Sequence, residues 1–345
     1  MIAKARTHAT RERIKEEPCL SLQHTFPAGR IWEPLYRWET EAHPVEIELF
    51  RCRPVRRLKF LHHFGASALS SPMNHSRLEH TVGVWSLMAR MLPGELHLRI
   101  AALLHDIGHL PFSHAVERTL GFNHHERTAE LIDSGEVALI LRKYGISPEA
   151  ILTLLRQDSP LKNGSALMGL DHLDSFLRDT AAAGRGALAT CELVHGLRLR
   201  GDYVEADAET ALPLVLIVAE HHKLALAPAV LAMDALLAKA VSKHCEAVPG
   251  FKGLIPGMLD QELIYALQTS EAAEARALID LLLYEPHRIG IHHEPQPGSI
   301  QVRIGRLQPK EPLVAGLPAA EASAEAAQLL AELDSLTRDY FITCP

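Results

Sequence analysis

Histidines in this sequence bunch beside acidic residues at spacings that suit metal or acid–base chemistry. NHSRLEHTVGV at 74–84, AALLHDIGHLPFSHAVE at 101–117 and NHHE at 123–126 are followed by DHLD at 171–174. Imidazole nitrogens and carboxylate oxygens together form a borderline-hard donor set, suited to Mn, Fe, Ni, Co or Zn. Neighbouring positions on a helix point about 100° apart, so His105 and Asp106 can share an ion only if it lies against that helix's flank. His80 and Asp171 would then reach it from two other helices, a metal caged within a bundle. A single histidine on an apolar helix is more often a hydrogen-bonded core residue, and an HD pair occurs by chance. The full ordered set sets this chain apart.

The elements that must carry these residues read as helices. Leu78, Val82, Trp85 and Met88-Ala89 recur every three or four residues and mark one apolar face. A second helix runs from Glu95 to His105 and is closed by Gly108 and Pro111, which leaves His109 four residues beyond His105 at or just past its end. Further helices are expected at 125–133, 136–144, 148–156, 166–183, 212–223 and 228–246, with a small hairpin at 197–206 (LRLRGDYVEA). The C-terminal part differs: a helical stretch at 258–284, β-like alternation at 287–315 and an Ala-rich helix at 319–340. The fold class is therefore mainly α, with an irregular lead-in at 1–44, a helical domain at 45–249 and an appended small α+β module at 250–345.

Bulk properties narrow the functional classes. The chain has 345 residues, 47% hydrophobic and 22% charged, as in a globular protein. Its net charge of −7 argues against a chain built to coat nucleic acid. The five cysteines are scattered and hold no CxxC pair, which fits free thiols in a reducing cytoplasm. A polar N-terminus and the lack of an 18-residue apolar run lead to the expectation of a soluble cytoplasmic protein without a membrane partner.

The order H…HD…D, with HDIGHLPFSHAVE at its centre and DHLDSFLRD at 171–179, resembles the HD-domain phosphohydrolase superfamily, and within it the deoxynucleoside triphosphate triphosphohydrolases of the SAM-and-HD-domain type. The likeness runs from Arg56-Arg57-Leu58 to Asp179, about half the chain, and more faintly to His222-Lys223. It implies a helical HD-domain bundle that holds one divalent ion (Mn, Fe, Ni, Co, Zn or Mg) on His80, His105, Asp106 and Asp171. It further implies hydrolysis of a phosphate ester or anhydride by a metal-activated water. His109, His114, Glu117 and His125 take catalytic or supporting positions, with Glu117 setting a histidine's tautomer and raising its pKa. Arg77 takes a substrate-contacting position, and Arg178-Asp179 the structural and sugar-facing end of the last motif helix. The implied partner is a small phosphorylated substrate, a nucleotide such as a dNTP leading, and the family often assembles as homo-oligomers.

Several nucleotide-binding positions depart from that pattern. His172 stands where a phosphate-gripping Lys follows the last metal Asp, and Ser175 where a Tyr packs under the sugar. His63-Phe64-Gly65 replaces Gln-Leu-Gly, and Glu220 stands at the Tyr before the later His-Lys pair, where it would repel a polyphosphate if it faced the pocket. Charge and stacking area are both reduced, so a phosphatase or 5'-nucleotidase acting on a smaller phosphorylated metabolite is an alternative. Arg51, Arg53, Arg56, Arg57 and Lys59 raise a nucleic-acid-binding or nuclease alternative; the plainer reading is a solvated helix face. A silent scaffold is disfavoured, because an idle site has no need to keep buried carboxylates and imidazoles together. His287, His292 and His293 read as an exposed strand.

Overall fold

The computed structural model describes residues 29–345 apart from 72, 187–188, 305–306 and 308. Cys19 and most of the expected lead-in lie outside the described residues. The rest of the lead-in is regular: β1 (Arg30–Glu33) and β2 (Trp38–Glu41) pair as an antiparallel hairpin. Helices α1 (Pro44–Arg51) and α2 (Arg53–Arg57) lead to α3 (Arg77–Met91), α4 (Leu96–Leu104) and the short α5 (Glu117–Leu120). There follow α6 (His124–Asp133), α7 (Gly135–Lys143), α8 (Pro148–Arg156), α9 (Leu170–Ala182) and α10 (Thr190–Leu193). The expected hairpin at 197–206 is present as β3 (Leu197–Arg200) and β4 (Tyr203–Ala206). Two long helices, α11 (Ala211–Ala225) and α12 (Pro228–Ala247), complete the expected helical stretch.

Helix α3 is the axis of the site. Ser76 caps its N-terminus by accepting from the Glu79 amide, and Glu79 reaches back to the Ser76 amide at 2.8 Å. Most of its residues are buried, including His80 and Trp85, whose indole N–H donates to Glu46 at 2.8 Å. A helix apolar nearly all round belongs in a core, and here α4 and α9 pack against it. Gly83 allows the close approach of α9, because a Cβ there would stand 1.8 Å from Asp174 Oδ1 and 2.2 Å from Arg178 Nη2.

The C-terminal part is α+β, as expected, but more broken than periodicity implied. The stretch at 258–284 divides into α13 (Asp260–Gln268) and α14 (Ala273–Tyr284). The Ala-rich helix divides into α15 (Ala319–Ala322) and α16 (Ala324–Glu332), because the Ser323 hydroxyl accepts from the Ala326 amide and starts a new helix. Two sheets form here. Asp339–Thr343, rich in aromatic and β-branched residues, forms the central strand of the first, between Gly290–His292 and Ile300–Arg303. In the second, Leu313–Val314 joins β4 in parallel. His292 lies in the first of these sheets, bonded to Thr343 at 3.0 Å.

Contacts cross the expected boundary at 249–250. One apolar core surrounds α3, α4, α9 and α11, while a second lies among α12, α13 and α14 and takes in Leu110, Phe112 and Val116 from the HD loop. Asp260, at the start of α13, is fully buried and accepts from the backbone of His62 at 2.7 Å and of Phe112 at 2.8 Å. Arg57, a half-buried member of the basic run, donates to the carbonyls of His109 at 2.7 Å and Met258 at 3.1 Å. Its guanidinium thus ties backbone together. Among the described residues no single helix is long and apolar enough to cross a membrane.

Candidate metal centre and active-site cleft

Four donors converge from three helices. His80 lies in the first turn of α3, His105 at the C-cap of α4 with Asp106 beside it, and Asp171 at the second position of α9. The Nε2 atoms of His80 and His105 are 3.2 Å apart, and Asp171 Oδ1 lies 3.1 Å from the first and 3.6 Å from the second. Asp106 adds a carboxylate 3.4 Å from His105 Nε2 and 3.8 Å from His80 Nε2.

Both rings are oriented from behind. His80 Nδ1 pairs with Asp174 Oδ2 at 2.8 Å, and His105 Nδ1 with the Ala102 carbonyl at 2.7 Å. With hydrogens on both Nδ1 atoms, each ring turns an Nε2 lone pair toward the centre, the orientation that metal-ligating histidines adopt. Two lone pairs and two carboxylates aimed at one point repel each other unless a cation lies among them. Burial disfavours a charged His80 ring, yet Asp171, Asp174 and Asp106 outweigh it and push its pKa up to about 10. Burial likewise opposes charge on Asp106 and Asp171, but Arg77 and His105 hold the first, and His105 and His80 the second, well below the usual carboxylate range. The set fits a divalent ion, which would displace that proton.

The hairpin of the lead-in supports this orientation. Asp174 also accepts from the Tyr36 hydroxyl and from Arg178 Nε at 3.0 Å, and Arg178 continues to Glu33 at 2.8 Å. Tyr36 and Glu33 belong to the β1–β2 unit. Their role had no sequence signal, because a packed hairpin more than a hundred residues away leaves no spacing to read.

A second constellation lies beside the donors. His109 Nε2 is 3.2 Å from Asp106 Oδ1, and its ring stacks on His124 at 3.9 Å between centroids. Glu117 bridges His114 Nδ1 and His124 Nδ1, each at 2.8 Å. Burial raises the Glu117 carboxyl, but hydrogen bonds from the two rings outweigh it and hold it well below its usual range. The seven positions from Glu117 to His124 do not form one continuous helix. The chain reverses at Gly121 (φ 66°) between α5 and α6, which brings His124 to Glu117. His125, the sequence choice, also lines the cleft and adjoins His124 at 3.9 Å between centroids, with partial desolvation and then His124 pushing its pKa down to about 4. Gly108 lets α6 approach, since a Cβ there would meet the His124 carbonyl at 2.2 Å. Phe112 (φ 56°) and Ser113 (φ 58°) take left-handed conformations in the loop, held by Asp260 and by Ser113 Oγ on the His62 carbonyl at 2.6 Å.

Both constellations line one cleft of about 450 Å³. Arg77 is buried there, with Nε on Ser113 Oγ at 2.7 Å and Nη1 on Asp106. His63, His172, Ser175 and Asp179 all line the cleft. The concern over Glu220 falls away: it pairs with Lys223 at 2.8 Å and Arg185 at 3.3 Å and does not line the cleft, while its neighbour His221 does. Lys162 and Asp234 also line it, and sequence reasoning passed over both. Burial pushes Asp234 up to about 7, and it accepts from the Ala66 amide at 2.8 Å. An isolated Lys in a loop and an isolated Asp in an apolar helix carry no spacing signal.

The HD domain family model matches residues 77–199, a span that contains all four donors and the Glu117 constellation. That segment is similar to HD domains. His63, His221, Asp234 and Asp260 lie outside the matched HD domain. Among curated relatives, metal-dependent phosphohydrolase cns2 of Cordyceps militaris is 31% identical over 202 residues, 53% of this chain and 56% of that protein. The uncharacterized protein YdhJ of Bacillus subtilis is 37% identical, covering 38% of this chain and 42% of that protein. The deoxynucleoside triphosphate triphosphohydrolase SAMHD1 of Mus musculus is 28% identical, covering 42% of this chain and 27% of that protein. The chain spans about half the length of the first curated relatives it matches. A crystal structure of a hypothetical protein from Aquifex aeolicus shares the fold with a TM-score of 0.67 at 19% identity, covering 91% of this chain and 95% of that one.

Proposed function

We propose that this cleft hydrolyses a phosphate ester or anhydride of a small metabolite in a metal-dependent reaction, with nucleotides as the leading class. The observation that carries this reading is one cleft holding the donors His80, His105, Asp106 and Asp171 beside the His114–Glu117–His124 bridge. A divalent ion on those donors acidifies water and polarises a phosphoryl oxygen. The protein's own groups do the rest. Glu117 fixes the Nδ1 hydrogens of His114 and His124, so in the doubly protonated ring the Nε2 hydrogen is free to bind a phosphate oxygen or pass to the leaving oxygen, and in the neutral ring Nε2 accepts a proton. His114, the more exposed ring, is placed for the leaving-group side. Arg77 and Lys162 supply positive charge, the first already fixed by Ser113.

The side chains at the sugar positions favour a small or polar substrate portion. His172 and Ser175 offer less stacking area than a Tyr would, so a mononucleotide or another phosphorylated metabolite fits as well as a dNTP. A soluble, cytoplasmic homo-oligomer completes the reading, and light scattering that returned the monomer mass would remove the last part. The decisive assay screens nucleoside mono-, di- and triphosphates and simple phosphate esters with Mn, Mg, Co and Ni, and identifies the released product. Activity lost in His105→Ala and Asp106→Ala supports the proposal. Hydrolysis that survives both changes, or folded protein that binds no divalent ion, overturns it.

A further inference from the structure

The geometry points to a second cation site on the wall of the cleft, built from His63, His75 and Asp179 with His221 at its edge, and suited to a zinc-class divalent ion. His63 and His75 come from the segment preceding α3, Asp179 from α9 eight residues beyond Asp171, and His221 from α11. His63 Nδ1, His75 Nε2 and Asp179 Oδ1 form a triangle with edges of 3.3, 3.2 and 3.0 Å. Ligands about 2.0–2.1 Å from a tetrahedral ion stand about 3.3 Å apart, so this triangle has the size of one face of such a site. It also matches the triangle of His80, His105 and Asp171, whose edges are 3.2, 3.1 and 3.6 Å.

A histidine at the edge of the triangle carries an independent observation. His221 Nδ1 is buried and lies 3.1 Å from Asp179 Oδ2, but off the direction of a well-formed hydrogen bond. A buried imidazole nitrogen beside a carboxylate normally takes that bond. Failing to do so suits a lone pair directed at a shared ion. The four side chains are only 2–15% exposed. Two imidazoles and one carboxylate, with a third imidazole close by, form a donor set that zinc-class ions prefer over magnesium or calcium. His63 and His80 rings lie 4.4 Å apart between centroids, so the two ions would face the same substrate. This site shares the cleft but does not rest on the proposed reaction, and it can fail while the first metal centre stands.

Metal counting tests it. The full chain is stripped with chelator, reloaded with Zn²⁺ or Co²⁺, dialysed and counted by elemental analysis, with circular dichroism as a check on folding. Two ions per chain are expected, falling to one in His63→Gln and in His75→Gln, and to one in His105→Ala. A wild-type count of one, abolished by His105→Ala, overturns the second site and leaves the first. A count of two that persists in both Gln variants overturns it as well. Should the Gln variants fail to fold, His105→Ala decides: one retained ion supports the site and none removes it.

Discussion

Asp174→Asn tests how the metal ligands are held. Every group that approaches this fully buried carboxylate is a donor: His80 Nδ1 at 2.8 Å, the Tyr36 hydroxyl, and Arg178 Nε and Nη2 at 3.0 and 2.8 Å. An amide of the same shape must turn its NH₂ toward one of them whichever way it flips, and its lost charge leaves Arg178 with Glu33 alone. Removing one partner of a buried ion pair costs about 3–5 kcal/mol, and the surviving Glu33 contact puts the expected loss at about 3 kcal/mol. His80 also loses the carboxylate that fixes its tautomer, which weakens divalent-metal binding by about 10–100-fold, or about 1.4–2.7 kcal/mol. Urea unfolding of the stripped protein measures the first quantity, and titration in a metal-buffered solution measures the second. Tyr36→Phe separates the two, because it removes one donor to Asp174, at about 1.5–3 kcal/mol, and leaves the His80 contact. Metal affinity within threefold of wild type in folded Asp174→Asn would refute the orienting role. Equal loss of affinity in Tyr36→Phe would instead assign it to the network as a whole.

Three further outcomes are expected. Burial raises Asp234 to about 7, so the folded state binds its proton more tightly than the unfolded chain does; the associated stability is full below about pH 4 and is lost as pH rises through 7. Asp234→Asn should therefore raise the melting temperature relative to wild type more at pH 8 than at pH 5, and an equal difference at both values contradicts it. Asp260→Ala removes the acceptor for the His62 and Phe112 amides and should cost about 3 kcal/mol in chemical unfolding while lowering kcat through a loosened HD loop; unchanged stability would show that the brace is dispensable. Gly83→Ala, whose Cβ would overlap Asp174, should destabilise by about 3 kcal/mol or more and weaken metal binding with it, and a stable variant with full metal content would show that α3 and α9 have room to separate.

The HD loop and the helices around it were legible because their signals are local. A ligand set spread over HDIGH and DHLD, and apolar residues at helical spacing, follow from residue order and backbone period alone. The helix limits at 148–156 and the hairpin at 197–206 followed for the same reason. Sequence favoured His125 over His124 on its likeness to an HE pair; that His124 is the one bonded to Glu117 depends on how Gly121 reverses the chain and on where Glu117 then points. Sequence could not place Glu220: one step along α11 decides whether a side chain meets the cleft or the ion pairs outside it, and His221 took the cleft.

Order along the chain determined the donor types, their count and the helical class of the scaffold, since each depends on residue identity and short-range periodicity. Tertiary structure decided which carboxylate orients His80, that the β1–β2 hairpin and α13 brace the centre from both ends of the chain, and that His63, His75, His221 and Asp179 meet in a second cluster. These contacts join residues roughly 40 to 200 positions apart, or, as with His63 and His75, meet only because a loop folds back. Their energy comes from burial and close packing, which no local pattern encodes.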